Sequence, residues 1–118
     1  MSVTPAQFEL LQQLMDAAGL RQKTLGQNVA NVNTPGYRRL DVAFEEQLAQ
    51  QLIHNNELAV DVEPKVIHTL GLAERADGNN VDIDMEMGQL SKNALLYQTY
   101  AQILTSKLSM MRSAITGQ

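Results

Sequence analysis

Cysteine is absent from this 118-residue chain, which removes disulfides and thiolate metal sites and makes the protein indifferent to the redox state of its compartment. Histidine is nearly absent too. His54 and His68 stand alone, with no ligand spacing to join them, and read as surface residues. No apolar run approaches the roughly 18 residues of a membrane span. Basic residues are outnumbered by acidic ones, 9 to 13, and the net charge of -4 argues against a nucleic-acid or anionic-membrane partner, either of which favours a basic face. The opening Met1-Ser2-Val3-Thr4-Pro5 lacks the basic start and apolar stretch of a cleaved secretory signal. The expectation is a chain that stays in the cytoplasm or leaves it by a route needing no such signal.

Chemistry is missing as well. There is no glycine-rich phosphate loop of either usual spacing. The run Asp77, Asn79, Asp82, Asp84, Glu86 invites a calcium-loop reading, but counting from Asp77 the fifth position is Val81, the sixth is Asp82 where glycine is needed, and the twelfth is Gly88 instead of Glu. Glu45-Glu46 reads as a solvated helix face, because an acid-base pair needs a cleft that two parallel rods do not readily make. No catalytic residue, cofactor, metal ion or small-molecule substrate is expected.

What the chain does have is an apolar stripe near each end. The first runs Phe8, Leu11, Met15, Ala18, Gln22, Leu25, Val29, Val32, and the second Met87, Leu90, Ala94, Tyr97, Ala101, Leu104, Leu108, Met111, Ile115. Alternating steps of three and four fit the heptad template for helices that seam against partners. The fold class expected is mainly α: a single domain over 1–118, with long N- and C-terminal helices packed as a coiled-coil-like antiparallel pair and a short irregular, partly β middle. The spacing predicts a first helix over 5–33, a turn, short helix and irregular segment over 34–80, and a second helix over 81–118. Burial along one seam is set against an ordering cost of similar size, so the lone hairpin is expected to be marginal and to gain stability from neighbours.

The punctuation agrees with that layout. Thr4-Pro5 opens a helix, and Thr34-Pro35 closes it, with Pro35-Gly36 suited to positions i+1 and i+2 of a type II turn. Gly19 and Gly26 lie inside the first helix, either for close approach of a partner backbone or to keep the helix from persisting alone. Gln22 interrupts the seam as a partly solvated position or as a register-setting polar contact. Asp41 to Ile53 reads as a short amphipathic helix through Val42, Phe44, Leu48, Leu52 and Ile53, broken by Asn55-Asn56. Val60, Val62 and Val66, with Pro64 between, support at most an edge strand pair, and the middle has too few apolar residues for a core of its own. Asp77-Gly78-Asn79-Asn80 is a dense turn signal, after which Asn80 or Asp82 can cap, and Asp84 and Glu86 sit where a helix dipole favours negative charge. Met85, Met87, Met110 and Met111 suit either subunit contact or a plastic binding surface.

The run Asn28-Val29-Ala30-Asn31-Val32-Asn33-Thr34-Pro35-Gly36-Tyr37-Arg38-Arg39 closely resembles the signature of bacterial flagellar rod and hook axial proteins, N-[IL]-A-N-x-x-T-P-G-Y-[KR]. Asp77 to Glu86, including Gly78, Asn79, Val81, Asp82 and Asp84, is similar to the D-G-N-x-V-D-x-D-x-E lead-in to the C-terminal helix of proximal-rod members of that family. Asn93 to Gln98 resembles their N-x-L-x-Y-Q. The resemblance implies a structural subunit of the basal body's proximal rod in the periplasm. It also implies passage through the flagellar type III export apparatus as an unfolded chain without a cleaved signal, and polymerisation through the terminal helices to transmit torque. The partners implied are copies of itself, other rod proteins, the inner-membrane ring and its adaptors, and the export apparatus. For Asn28, Asn31 and Tyr37 both turn chemistry and intersubunit contact stand open, while Arg38 and Arg39 are expected to be solvated or to pair with the next subunit. The rival readings are a soluble coiled-coil adaptor or export chaperone, and a neighbouring rod subunit that shares the turn signature.

Overall fold

A computed structural model describes residues 5–55 and 61–117. Helix α1 (Pro5–Ala30) is followed by strand β1 (Leu40–Ala43), helix α2 (Glu45–Asn55), strand β2 (Lys65–His68) and helix α3 (Ile83–Thr116). The two long helices run antiparallel, and hydrogen bonds fix their register: Asn28 meets Glu86, Gln22 meets Asn93, and Gln7 meets Lys107. The molecule measures 64 × 30 × 15 Å with a radius of gyration of 18.0 Å. A compact globule of this length would have a radius near about 13–14 Å. α3 accounts for the difference, since its 34 residues make a rod of about 50 Å at 1.5 Å per residue.

α1 buries two faces. Leu11, Ala18 and Leu25 are buried outside the main apolar cluster, in which Ala17 joins Val42, Phe44, Leu48 and Val62, with Leu10, Leu14, Leu20 and Leu52 packed around it. The middle segment, expected to be too poor in apolar residues for a core of its own, shares one with α1. It supplies four of the five cluster residues and uses the second face of α1 as the opposing wall. Only one stripe of α1 is evident from heptad spacing, because Leu10, Leu14 and Ala17 follow the same periodicity one step out of phase.

The short helix also differs from expectation. Leu40 to Ala43 forms a strand that pairs antiparallel with β2, in the register Leu40 to His68, Asp41 to Ile67, Val42 to Val66 and Ala43 to Lys65. Helix α2 begins only at Glu45, with Glu45 and Glu46 in its first turn. Helical periodicity through Val42 is overridden by a tertiary contact: the Asn28 amide donates to the Leu40 carbonyl at 2.7 Å and accepts the Leu40 N–H at 3.0 Å, holding that backbone extended. Val60 and Asn56 lie outside the described residues.

α1 stops at Ala30, short of the expected Asn33. The next residues tighten, with Val32 N–H bonding Val29 O at 3.2 Å and Thr34 N–H bonding Asn31 O at 3.0 Å. Tyr37 N–H then returns to Thr34 O at 3.2 Å around Gly36, whose φ of 74° suits the third position of a type II turn. α3 is capped by Asp82, whose carboxylate accepts from the N–H groups of Asp84 at 3.0 Å and Met85 at 3.3 Å. It ends at Gly117 in the left-handed conformation.

Candidate functional site

The two motifs singled out in the sequence meet in space, 40 or more residues apart in the chain, and form a buried polar knot at the closed end of the hairpin. Asn28 is fully buried and satisfied: its amide N–H group donates to Leu40 O and, at 3.2 Å, to Glu86, while its oxygen accepts from Leu40 N–H and from the Tyr37 hydroxyl at 2.9 Å. Tyr37 thus pins the turn to the helix it follows. Burial and the nearby Glu86 charge raise its hydroxyl above the usual tyrosine range, although Arg39 pulls the other way, so it stays a donor at neutral pH.

On the other strand of the knot, the Asn79 amide donates to the carbonyls of Asn31 at 2.9 Å, Val32 at 3.1 Å and Thr34 at 2.9 Å. These carbonyls lie in the turn that follows α1, and a single side chain from the opposite loop ties all three together, in addition to the bonds that the turn and Arg75 already give them. The Asn79 oxygen accepts from Val81 N–H at 2.8 Å, so the same residue braces the approach to α3. Asp77 accepts from Asn79 N–H at 2.9 Å and offers its backbone carbonyl to Gly36 N–H at 2.8 Å. Gly78 is required for its φ of 84°, not for room, because a Cβ there would come no closer than 3.6 Å to Gly36. Arg75 also reaches across, donating to the carbonyls of Val32 and Val81. Asn31 stays local, bonding Gln27 O and accepting from Thr34, and Thr34, Pro35 and Asp84 are exposed.

The centre of the knot is an ion pair that sequence reasoning missed. Arg39, expected to be solvated, is 1% exposed and donates through Nε to Glu86, itself 0% exposed. Its Nη1 donates to Asp41 at 3.0 Å and Thr69 at 2.7 Å, and its backbone N–H bonds Asn80 at 2.6 Å. Burial pulls the guanidinium down, but the bonds to Glu86 and Asp41 outweigh it and hold the group above its ordinary value. Two adjacent arginines after a turn normally signal solvent, and only Arg38 behaves so, pairing with Glu74 at the surface. The available signal was Glu86, an acid one helical turn after the cap on the side that faces Asn28.

Along the hairpin a second polar residue matters. Asn93 is buried and donates to Ala18 O at 2.8 Å and to the Gln22 side chain at 2.9 Å, while its own oxygen has no partner among the described residues. Gln22 is therefore both solvated and a cross-helix register contact.

The stripe residues fall into two groups. Leu11, Ala18 and Leu25 are buried, and Phe8, Met15, Val29, Leu90, Ala101 and Leu104 are half-buried. Val32 sits half-buried in the turn after α1. Ala94 and Tyr97 are exposed, as are Met87, Leu108 at 51%, Met111 and Ile115 at 82%. Phe8, Leu11, Met15, Gly19, Tyr97 and Leu104 line an open groove of about 480 Å³ along one side of the hairpin. At Gly19 and Gly26 a Cβ would meet nothing within 4 Å outside its own stretch of helix, so no other element among the described residues approaches either glycine. Among the described residues no helix is long and apolar enough to cross a membrane, and no cluster of three metal-ligating side chains occurs.

Comparison with known proteins places this arrangement. A family profile described as flagella basal body rod protein matches residues 15–38, the stretch that runs from the seam through Asn28 to the turn. The chain is 32% identical to the flagellar basal body rod protein FlgB of Aquifex aeolicus, with 83% of each chain covered. It is 30% identical to the FlgB of Borrelia hermsii, over 87% of this chain and 90% of that one. With the FlgB of Bacillus subtilis the identity is 25%, over 99% of this chain and 98% of the relative.

Proposed function

Because this chain belongs to the FlgB family of flagellar basal body rod proteins, we propose that it is exported by the flagellar type III apparatus and polymerises in the proximal rod through its terminal helices, transmitting torque. The family is structural, and its members are rod subunits of the basal body. The observation that carries the finer reading is the apolar stripe left outside the fold. Met87, Tyr97, Leu108, Met111 and Ile115 lie exposed along nearly the whole length of α3, on a chain that already holds a formed core elsewhere. Exposed apolar residues recurring along one helix of a lone protein mark an interaction surface. Close-packed helices resist sliding past one another, which is the property that torque transmission needs. Partners on this reading are further copies, neighbouring rod proteins, and the inner-membrane ring with its adaptors.

The discriminating substitution lies on the exposed part of the stripe. Leu25 has no exposure, so Leu25→Asp would act through the fold itself. Leu108→Asp is expected to leave the folded chain and its export intact and to remove it from purified basal bodies, with loss of motility. Normal incorporation of that variant would refute the reading.

A further inference from the structure

Charge is distributed unevenly along the hairpin. α1 carries Glu9 and Asp16 and no basic residue before Arg21. The loop after α2 brings Asp61 and Glu63 to the same side, where they form one wall with Gln12, Gln13 and Asp16. Glu9, Asp16, Asp61 and Glu63 make no ion pair among the described residues. Through Gln12 and Asp16 this wall borders the apolar groove of Phe8, Met15, Gly19 and Tyr97. The far end of the molecule is the opposite. From Gly88 onward the chain contains Lys92, Lys107 and Arg112 and no acidic residue. Beyond the level where Lys107 meets Gln7, α3 continues to Thr116 with Leu108, Met110, Met111 and Ile115 exposed.

We propose that residues 108–116 of one copy dock in the acid-bordered groove of a second copy. Leu108, Met111 and Ile115 recur at steps of three and four and share one helix face, which suits the apolar floor, while Arg112 on the flank of that face suits the acidic rim. Gly19 lies in the floor with open space above it, leaving room for a helix backbone to approach. Tail and groove are different surfaces of the same chain, and a continuous helix cannot fold its own tail back into its own groove. The contact is therefore heterologous and propagates from copy to copy. It rests on the rod reading for its setting and adds to it the surfaces that meet.

A nine-residue tail covers less than the roughly 1,200–2,000 Å² of a stable interface, so each contact is weak alone and sensitive to salt. The test therefore traps it. The chain has no cysteine, so Ile115→Cys chains mixed with Met15→Cys chains are expected to cross-link through a bis-maleimide, and Leu95→Cys, exposed elsewhere on α3, is not. Arg112→Glu or Asp16→Lys, each made in every copy, is expected to lower self-association about tenfold, and mixing the two variants is expected to restore it because each tail then finds a complementary groove. Cross-linking as strong from Leu95→Cys, or no recovery on mixing, overturns the proposal. Purified basal bodies separate the two readings: Ile115→Cys and Met15→Cys chains both present there but not cross-linked refute the groove alone, and the cross-link in chains absent from basal bodies refutes the rod reading alone.

Discussion

Replacing Glu86 by Gln tests the polar knot with no change of shape. Removing one charge of a buried ion pair costs about 3–5 kcal/mol, because the partner is left charged and out of water. Here Asp41 remains on Arg39 at 3.0 Å and is partly exposed, so some compensation survives and the low end, about 3 kcal/mol, is expected. With a urea slope of about 1–3 kcal/mol per molar, the midpoint measured by far-UV circular dichroism should fall by about 1–3 M. The double variant Arg39→Met/Glu86→Met removes both charges together and is expected to return to within about 1.5 kcal/mol of the native chain or to exceed it. A Glu86→Gln midpoint within 0.3 M of native, or a double variant no better than the single, would show that the pair is solvated and refute the reasoning, where ~0.3 M is below the cost of even one neutral hydrogen bond.

Asn79→Ala removes the side chain that ties three turn carbonyls together and takes the side-chain acceptor from the Val81 N–H, so a loss of about 1–3 kcal/mol is expected, with hydrogen exchange speeding up at residues 31–37 more than in the middle of α3. Asn93→Leu removes a buried oxygen that has no partner and is expected to hold or raise stability by up to about 1 kcal/mol, while a Gln7→Cys/Lys107→Cys disulfide forms less selectively than in the parent, since the polar register contact with Gln22 is gone. Glu45 is pushed up by burial but pulled further down by its bonds to Arg21, at 2.5 and 2.6 Å, so its folded value lies below the ordinary 4.5. That contribution is present above pH 4.5 and is lost as pH falls through the lower folded value, so Glu45→Gln should flatten the acid limb of a stability profile there, modestly because the carboxylate is about half exposed.

The long helices, their antiparallel arrangement and both turn motifs are legible in the sequence because each is encoded locally: heptad spacing, Pro35-Gly36, and the cap at Asp82. What escapes is tertiary. Val42 reads as helical until Asn28 claims the backbone of Leu40, and nothing within residues 40–44 announces that contact. Arg39 reads as solvent because its partner lies 47 residues away on another helix. The main apolar cluster is hidden for a related reason. Its wall belongs to α1, whose second stripe is masked by the more regular first one, and four of its five buried residues belong to a middle segment that looks too polar when counted alone.

The two ends of the hairpin are stabilised by different physics, and the difference suits an assembling subunit. At the closed end, directional hydrogen bonds and a buried ion pair define one arrangement of Asn28, Arg39, Asn79 and Glu86, and a slip of α3 by one residue would break them together. Such a knot fixes register in the lone chain. Toward the open end the polar contacts thin to Asn93 and Lys107, and the last turns of α3 leave Leu108, Met110, Met111 and Ile115 uncovered. Apolar burial is nondirectional and roughly proportional to area, so that end gains most when another surface covers it. Register is thus set in the lone chain at one end, while the free energy still to be gained is held at the other, and on the proposed rod reading a subunit built in this order adds to its neighbours without having to refold its turn.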